Sequence, residues 1–268
     1  MSYAKRAAPV LALAAVLIFW EAAVRLFQIP LYVLPSPTEV LNALISDRLT
    51  LFSHSVITVA EALLGMGISL VLAVVLGILM DAFAPLRQVV YPILVVTQTV
   101  PMIVLAPILI IYLGFGLAPK ILTVVLMCFF PIAVSFTDGM AQLDPEYLHL
   151  ARSFGASRWT AYRLVKIPAA VPSLISGLKV AATYSVSGAV VGEWIGAQKG
   201  LGYYLLRVKN GYMLDKVFAC VLVIIFFKPV HESGPVAGKP DRIPLRPPSG
   251  TGRKPQLCLI NQKRYKLF

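Results

Sequence analysis

Four cations, Arg152, Arg158, Arg163 and Lys166, fall within residues 144–168 of a chain that is otherwise mostly apolar. Tyr147, Leu150, Ala151 and Phe154 lie among them at i, i+3, i+4, i+7, the spacing of one helix face. An apolar stripe ringed by cations can be gripped by a partner through hydrophobic contact and charge. The competing reading is an ordinary interfacial loop made basic by membrane topology, and the loop's own chemistry favours that reading. No phosphate-binding glycine loop, Ser/His/Asp cluster or metal-ligand spacing occurs, and His54, His149 and His231 are isolated. No catalytic residue, cofactor or metal ligand is therefore expected, and hydrolysis of ATP by this chain itself is not expected either.

The elements that must position this surface are readable locally. Asp144 can cap a helix with Pro145 at its first position and Glu146 in its first turn. Gly155 stops that helix. Ser157 caps a second one, which the residue before Pro168 should end or kink.

The rest of the chain reads as membrane. Of 268 residues, 58% are hydrophobic and 13% charged, with mean hydropathy +0.80; soluble domains run at about 45–50% and about 25%. The formal charge of +12 does not indicate nucleic-acid binding, because residues 228–268 alone hold 9 basic and 2 acidic residues. Cys128, Cys220 and Cys258 are far apart and set up no disulfide framework; the first two read as core packing.

We expect an all-α polytopic membrane protein with five clear spans and a truncated sixth. The spans are 9–27, 56–83, 89–113, 119–137 and 169–195. Lys5 and Arg6 precede the first, which lacks a small-residue cleavage site and so reads as a membrane helix with a cytoplasmic N-terminus. Residues 1–55 comprise this helix and an outer amphipathic one, announced by the capping box Ser36-Pro37-Thr38-Glu39 and read as lying on the membrane surface. Residues 56–227 form the core. Helix counting and the cations both place the 144–168 loop in the cytoplasm.

Inside the core, Thr97, Gln98 and Thr99 sit beside Pro101 in a span that also holds Pro92 and Pro107. They line a substrate path or belong to a kinked structural helix. Small residues recur every four positions at Ser173, Gly177, Ala181, Ser185 and Ala189, and again at Gly188, Gly192, Gly196 and Gly200. Such ridges serve packing within the chain or against a second subunit. Glu61, near an outer end, is a functional candidate or a carboxylate paired at the surface. Residues 217–227 begin a sixth span with only 11 apolar residues, where a crossing takes about 17 or more. The Pro- and Gly-rich basic tail at 228–268 reads as disordered and foreign to the fold, as if the reading frame had shifted after about Phe227.

The pattern Ala151-x3-Gly155-x9-Val165-x-Ile167-Pro168 resembles the "Glu-Ala-Ala…Gly…Ile-x-Leu-Pro" loop of bacterial ABC-importer permeases. His149-Leu150-Ala151 stands where the family has Glu-Ala-Ala, so the acidic position is lost, and Glu146 is the nearest acid. Leu34-Pro35-Ser36-Pro37 matches a second family segment. Glu193-Trp194-Ile195-Gly196-Ala197 followed by Gly200-Leu201-Gly202-Tyr203 is similar to the outer segment of the nitrate, sulfonate, taurine and thiamine-pyrimidine-precursor branch.

The resemblance implies a bacterial inner-membrane permease with a full sixth helix. Its partners would be two ATPase subunits, an extracytoplasmic binding protein and a second permease copy in the lipid bilayer. Glu146, His149, Ala151, Arg152, Gly155 and Pro168 would carry coupling to the ATPase. Thr97, Gln98, Thr99, Ser185 and Glu193 would be candidates for the path. The substrate would be a thiamine pyrimidine precursor, with nitrate, sulfonate or taurine as the alternative. A secondary transporter would show an inverted repeat and mid-membrane carboxylates, and a membrane enzyme clustered His, Asp or Glu within spans; the sequence offers neither.

Overall fold

Residues 2–227 are described by a computed structural model, and every regular element among them is helical. The expectations for residues 228–268 lie outside the described residues. The chain runs α1 (Ser2–Leu26), α2 (Pro37–Ser46), α3 (Arg48–Ala82), α4 (Ala84–Thr97), α5 (Met102–Leu113) and α6 (Leu117–Ala141). It continues through α7 (Pro145–Ser153), α8 (Arg158–Ala161), a π-helical turn (Tyr162–Lys166), α9 (Ile167–Glu193), α10 (Leu201–Asn210) and α11 (Leu214–Phe227).

The core is a three-helix unit of α3, α6 and α9. Ala73, Val124, Cys128, Ile132, Ala133, Ala181 and Ala189 are buried along its axis. Small residues make this close approach possible. A Cβ at Gly65 would overlap the Val124 side chain, one at Gly139 the Ser173 side chain, and one at Gly177 the Pro131 carbonyl. The first small-residue ridge thus packs against α6 within the chain. The second ridge does not continue as expected. Gly188 and Gly192 face α6, but α9 ends at Glu193, and Gly196 and Gly200 lie beyond it with φ +74° and +113°.

Helices α3, α6 and the 158–193 run are each long and apolar enough to cross a membrane, and α4 with α5 makes a fourth span if the two count as one. That third expected span is not one continuous helix: α4 and α5 meet at 103°. Pro101, which has no amide hydrogen, starts α5, and the amides of Gln98 and Thr99 close short turns onto Val95 and Val96. The turn before α6 uses Gly114 and Gly116 at φ +75° and +142°.

Helix α2 forms behind its expected capping box: the Ser36 amide donates to Glu39 Oε2 at 2.6 Å, and Glu39's amide donates to the Ser36 hydroxyl at 3.3 Å. It is not simply a surface helix. Val40 and Ala43 are buried in a second core with Leu201, Tyr204, Val208 and Cys220 of α10 and α11, while Leu41 and Ile45 stay exposed. Glu21 of α1 accepts from the Thr38 amide and hydroxyl at 3.1 and 2.9 Å and ties the first helix to α2. Helix α11 has 14 residues as far as Phe227.

Candidate functional site: an exposed basic loop and a polar latch at opposite ends of α3, α6 and α9

At one end of the core stands the 144–168 element. The Asp144 carboxylate accepts from the Glu146 amide at 3.0 Å and caps α7. Gly155 takes φ +80°, and the Gly155 and Ala156 amides close the helix onto Arg152 and Ala151. Ser157 caps α8 by accepting from the Thr160 amide at 3.1 Å. The second helix, α8, ends at Ala161 and gives way to a π turn at Tyr162–Lys166, so the regular helix is interrupted before Pro168 as expected; Pro168 then sits in the first turn of α9, where no amide hydrogen is needed. Through the π turn the loop leads directly into the core helix α9.

This element is open on its outer side. No residue of α7 is buried. Tyr147, Leu150 and Phe154 are 60%, 56% and 83% exposed, so the expected apolar stripe is presented to the surroundings. On the inner side, Lys166 pairs with the buried Asp81 at the end of α3 at 2.8 Å. Tyr162 also faces α3, its hydroxyl 3.5 Å from the Ile78 carbonyl. The expected coupling residues Glu146, His149, Ala151, Arg152 and Gly155 share one short segment, with Pro168 in the first turn of the helix that follows it.

The expected path residues are not brought together. Thr97, Gln98 and Thr99 occupy the α4–α5 bend and are exposed, with the two threonine hydroxyls bonded back to Leu94 and Val96. Ser185 is buried on α9 and bonds the Ala182 carbonyl of its own helix. Glu193 is 1% exposed at the far end of the core.

There Glu193 organises a latch. The Thr58 hydroxyl donates to its Oε1 at 2.7 Å and the Gly202 amide to its Oε2 at 2.5 Å. The Leu201 amide donates to Thr58 Oγ1 at 2.8 Å, and the Gly200 amide to His54 Nδ1 at 2.9 Å. One turn along α3, Glu61 is buried and pairs with Lys120 of α6 at 2.8 Å. A surface-paired Glu61 is thus replaced by a buried interhelical ion pair. Nearby, Asp47 accepts from the Tyr204 hydroxyl at 2.6 Å and pairs with Lys216 at 2.9 Å. Lys199, Arg207 and Lys209 are exposed. Thr58, Glu61, Lys120 and Asp47 were not singled out as a group by sequence reasoning. A carboxylate or lysine inside an apolar run was the only signal available for Glu61 and Lys120. Among the described residues, no group of three or more His, Cys, Asp or Glu side chains is arranged to hold a metal.

Comparison with known proteins supplies the family. Residues 69–228 match the model of the binding-protein-dependent transport system inner membrane component. A probable ABC transporter permease of Haemophilus influenzae is 32% identical over 81% of this chain and 89% of its own length. The formylaminopyrimidine transport permease of Halalkalibacterium halodurans is 35% identical over 81% and 86%, and the taurine transport permease of Escherichia coli 28% over 81% and 81%. In fold, a crystal structure of an amino acid ABC transporter superposes with TM-score 0.56 at 17% identity, covering 68% of this chain and 90% of that one. The exposed 144–168 element, the α3–α6–α9 core and these matches converge, and the chain belongs to the binding-protein-dependent transport system inner membrane components, the permease subunits of ABC importers.

Proposed function

We propose that this permease receives the ATPase stroke through residues 144–168 and passes it to the membrane helices, importing a small ring compound of the thiamine-pyrimidine-precursor class. One observation carries the reading. An exposed apolar stripe with flanking cations continues through a π turn into α9, and Lys166 clamps that turn to α3 through Asp81. A push on α7 therefore tilts two of the three core helices at once. Glu146, His149, Ala151, Arg152 and Gly155 form the docking segment, and Pro168 sits where the segment becomes core helix.

In this reading the 144–168 end and the N-terminus are cytoplasmic, and ATP hydrolysis occurs on two copies of a separate subunit. The path forms between this chain and a second copy. Thr97, Gln98 and Thr99, exposed at the α4–α5 bend, are candidate polar groups for it. The core helices α3, α6 and α9, the α4–α5 pair and α1 would make five spans in the bacterial inner membrane, with α11 as a truncated sixth. An extracytoplasmic binding protein would approach the end that carries Lys199, Arg207 and Lys209. The substrate class rests on likeness to the formylaminopyrimidine permease and on the scarcity of cations within the spans; nitrate, sulfonate or taurine is the alternative, favoured by likeness to the taurine permease.

The test is co-purification of the tagged full chain with the ATPase encoded beside it. The ATPase should be recovered with the native chain and lost from Leu150→Asp/Phe154→Asp. Retention of the ATPase by the double variant would remove the docking role from this stripe.

A further inference from the structure

Behind the docking stripe, between α7, α8, the π turn and the end of α3, lies a cavity of about 500 Å³. Its lining includes Asp81, Arg152, Arg158, Trp159, Tyr162 and Lys166. Lys166 neutralises Asp81 at 2.8 Å and lies 5.6 Å from the Tyr162 ring centroid, so the floor of the cavity is already balanced. Arg152 and Arg158 are different. Both are exposed, and neither has an acidic side chain within ion-pair distance among the described residues. The cavity thus carries two uncompensated guanidinium groups, the side chain best suited to bidentate recognition of phosphate.

Its surroundings fix the level at which it sits. Trp159 and Tyr162 are stacked, with centroids 6.3 Å apart and planes 10° from parallel, and Trp159 is 66% exposed. Leu164, on the adjoining turn, is 68% exposed. Immediately afterwards begins the apolar run of α9. Tryptophan and tyrosine beside a membrane-crossing helix mark the headgroup region, and basic pockets at that level receive lipid headgroups. The π turn is the local feature that brings Tyr162 and Lys166 onto one wall, and such turns are frequent at functional sites.

We infer that this cavity binds the phosphate of an anionic membrane phospholipid, with Arg152 and Arg158 on the phosphate oxygens and the Trp159–Tyr162 pair along the upper acyl region. The inference stands on the membrane placement of the chain and not on ATPase docking, so either reading can fail alone.

The test uses the full chain with Trp20→Phe and Trp194→Phe, leaving Trp159 as the only tryptophan, in phosphatidylcholine vesicles doped with brominated phosphatidylglycerol or brominated phosphatidylcholine. Trp159 should be quenched by the brominated phosphatidylglycerol at severalfold lower content. That preference should fall by about fivefold for each arginine in Arg152→Gln and Arg158→Gln, the factor expected for one cation near an anionic surface. Equal quenching by the two lipids would overturn the proposal. Loss of the preference on adding millimolar glycerol phosphate would also overturn it, assigning the cavity to a soluble phosphate compound instead. Should the tryptophan variant not fold, native mass spectrometry of the otherwise unaltered chain decides the matter. Retained phosphatidylglycerol should disappear with Arg152→Gln/Arg158→Gln and persist with Arg152→Lys/Arg158→Lys; retention by the glutamine variant would overturn the site.

Discussion

The carboxylate of Glu193 accepts the backbone amide of Gly202 at 2.5 Å, closing the outer segment back onto the end of the helix that precedes it. The same carboxylate takes the Thr58 hydroxyl, and Thr58 in turn accepts the Leu201 amide. Gly200 is required for this approach: its φ is +113°, and a Cβ there would fall on the Glu193 carboxylate. The latch joins α3, α9 and α10 at the end of the core away from the docking loop.

Glu193→Ala should therefore destabilise the chain strongly. It leaves the Gly202 amide buried without an acceptor, at about 1–3 kcal/mol, and the Thr58 hydroxyl with only the His54 carbonyl at 3.2 Å. Gly200→Ala should do comparable damage by a different route, through a strained backbone and steric overlap. Thermal unfolding in detergent measures both, and a Glu193→Ala chain that melts with the native protein would rule the latch out as a stabilising element.

The Glu61–Lys120 pair leads to a non-additive result. Removing one partner leaves an unpaired buried charge, which costs about 3–5 kcal/mol, whereas replacing both with apolar residues of similar volume is often neutral. Lys120→Met alone should thus unfold more readily than Lys120→Met/Glu61→Leu. A double-mutant cycle of melting curves checks this, and simple additivity of the two losses would contradict it.

Gly155→Val should separate ATP hydrolysis from transport. At φ +80° a β-branched residue is disfavoured, although no neighbouring atom crowds the position. The loss arises from the backbone and not from a clash, so Gly155→Asn, which tolerates the left-handed region, should keep most of the function. Paired assays of ATPase activity and substrate uptake in proteoliposomes distinguish the two variants; normal uptake by Gly155→Val would remove the requirement for this turn.

Asp47 gives a pH dependence. Burial pushes its carboxyl up, but hydrogen bonds from Lys216 and Tyr204 and the Lys216 charge outweigh that and hold it below the ordinary aspartate value of 3.8. The folded-state value is depressed, so the stabilisation is fully present above the ordinary value and is lost as pH falls below it through the folded-state value. Asp47→Asn should melt lower than the native chain near neutral pH, and the gap should narrow as pH falls below 3.8. A gap that stays constant with pH would show that charge at Asp47 is not what holds α2, α10 and α11 together.

The sequence by itself determined what depends on neighbours within one or two helical turns. Asp144, Gly155 and Ser157 bracket α7 and α8 because caps and left-handed turns act over a few residues, and Ser36 and Glu39 start α2 for the same reason. The small residues from Ser173 to Ala189 announced a closely packed helix without naming its partner. The tertiary structure decided the pairings across long separations. Thr58 meets Glu193 across 135 residues, Glu61 meets Lys120 across 59, and Tyr204 meets Asp47 across 157. No periodicity encodes such distances, because they follow from which helices cross and at what height. Competition between local rules also needed the full fold to settle. Pro168 could end a helix or open one, and the π turn opened α9. Pro101 could kink a span or break it, and the backbone turned through 103° because no amide hydrogen was left at that position to carry the helix on.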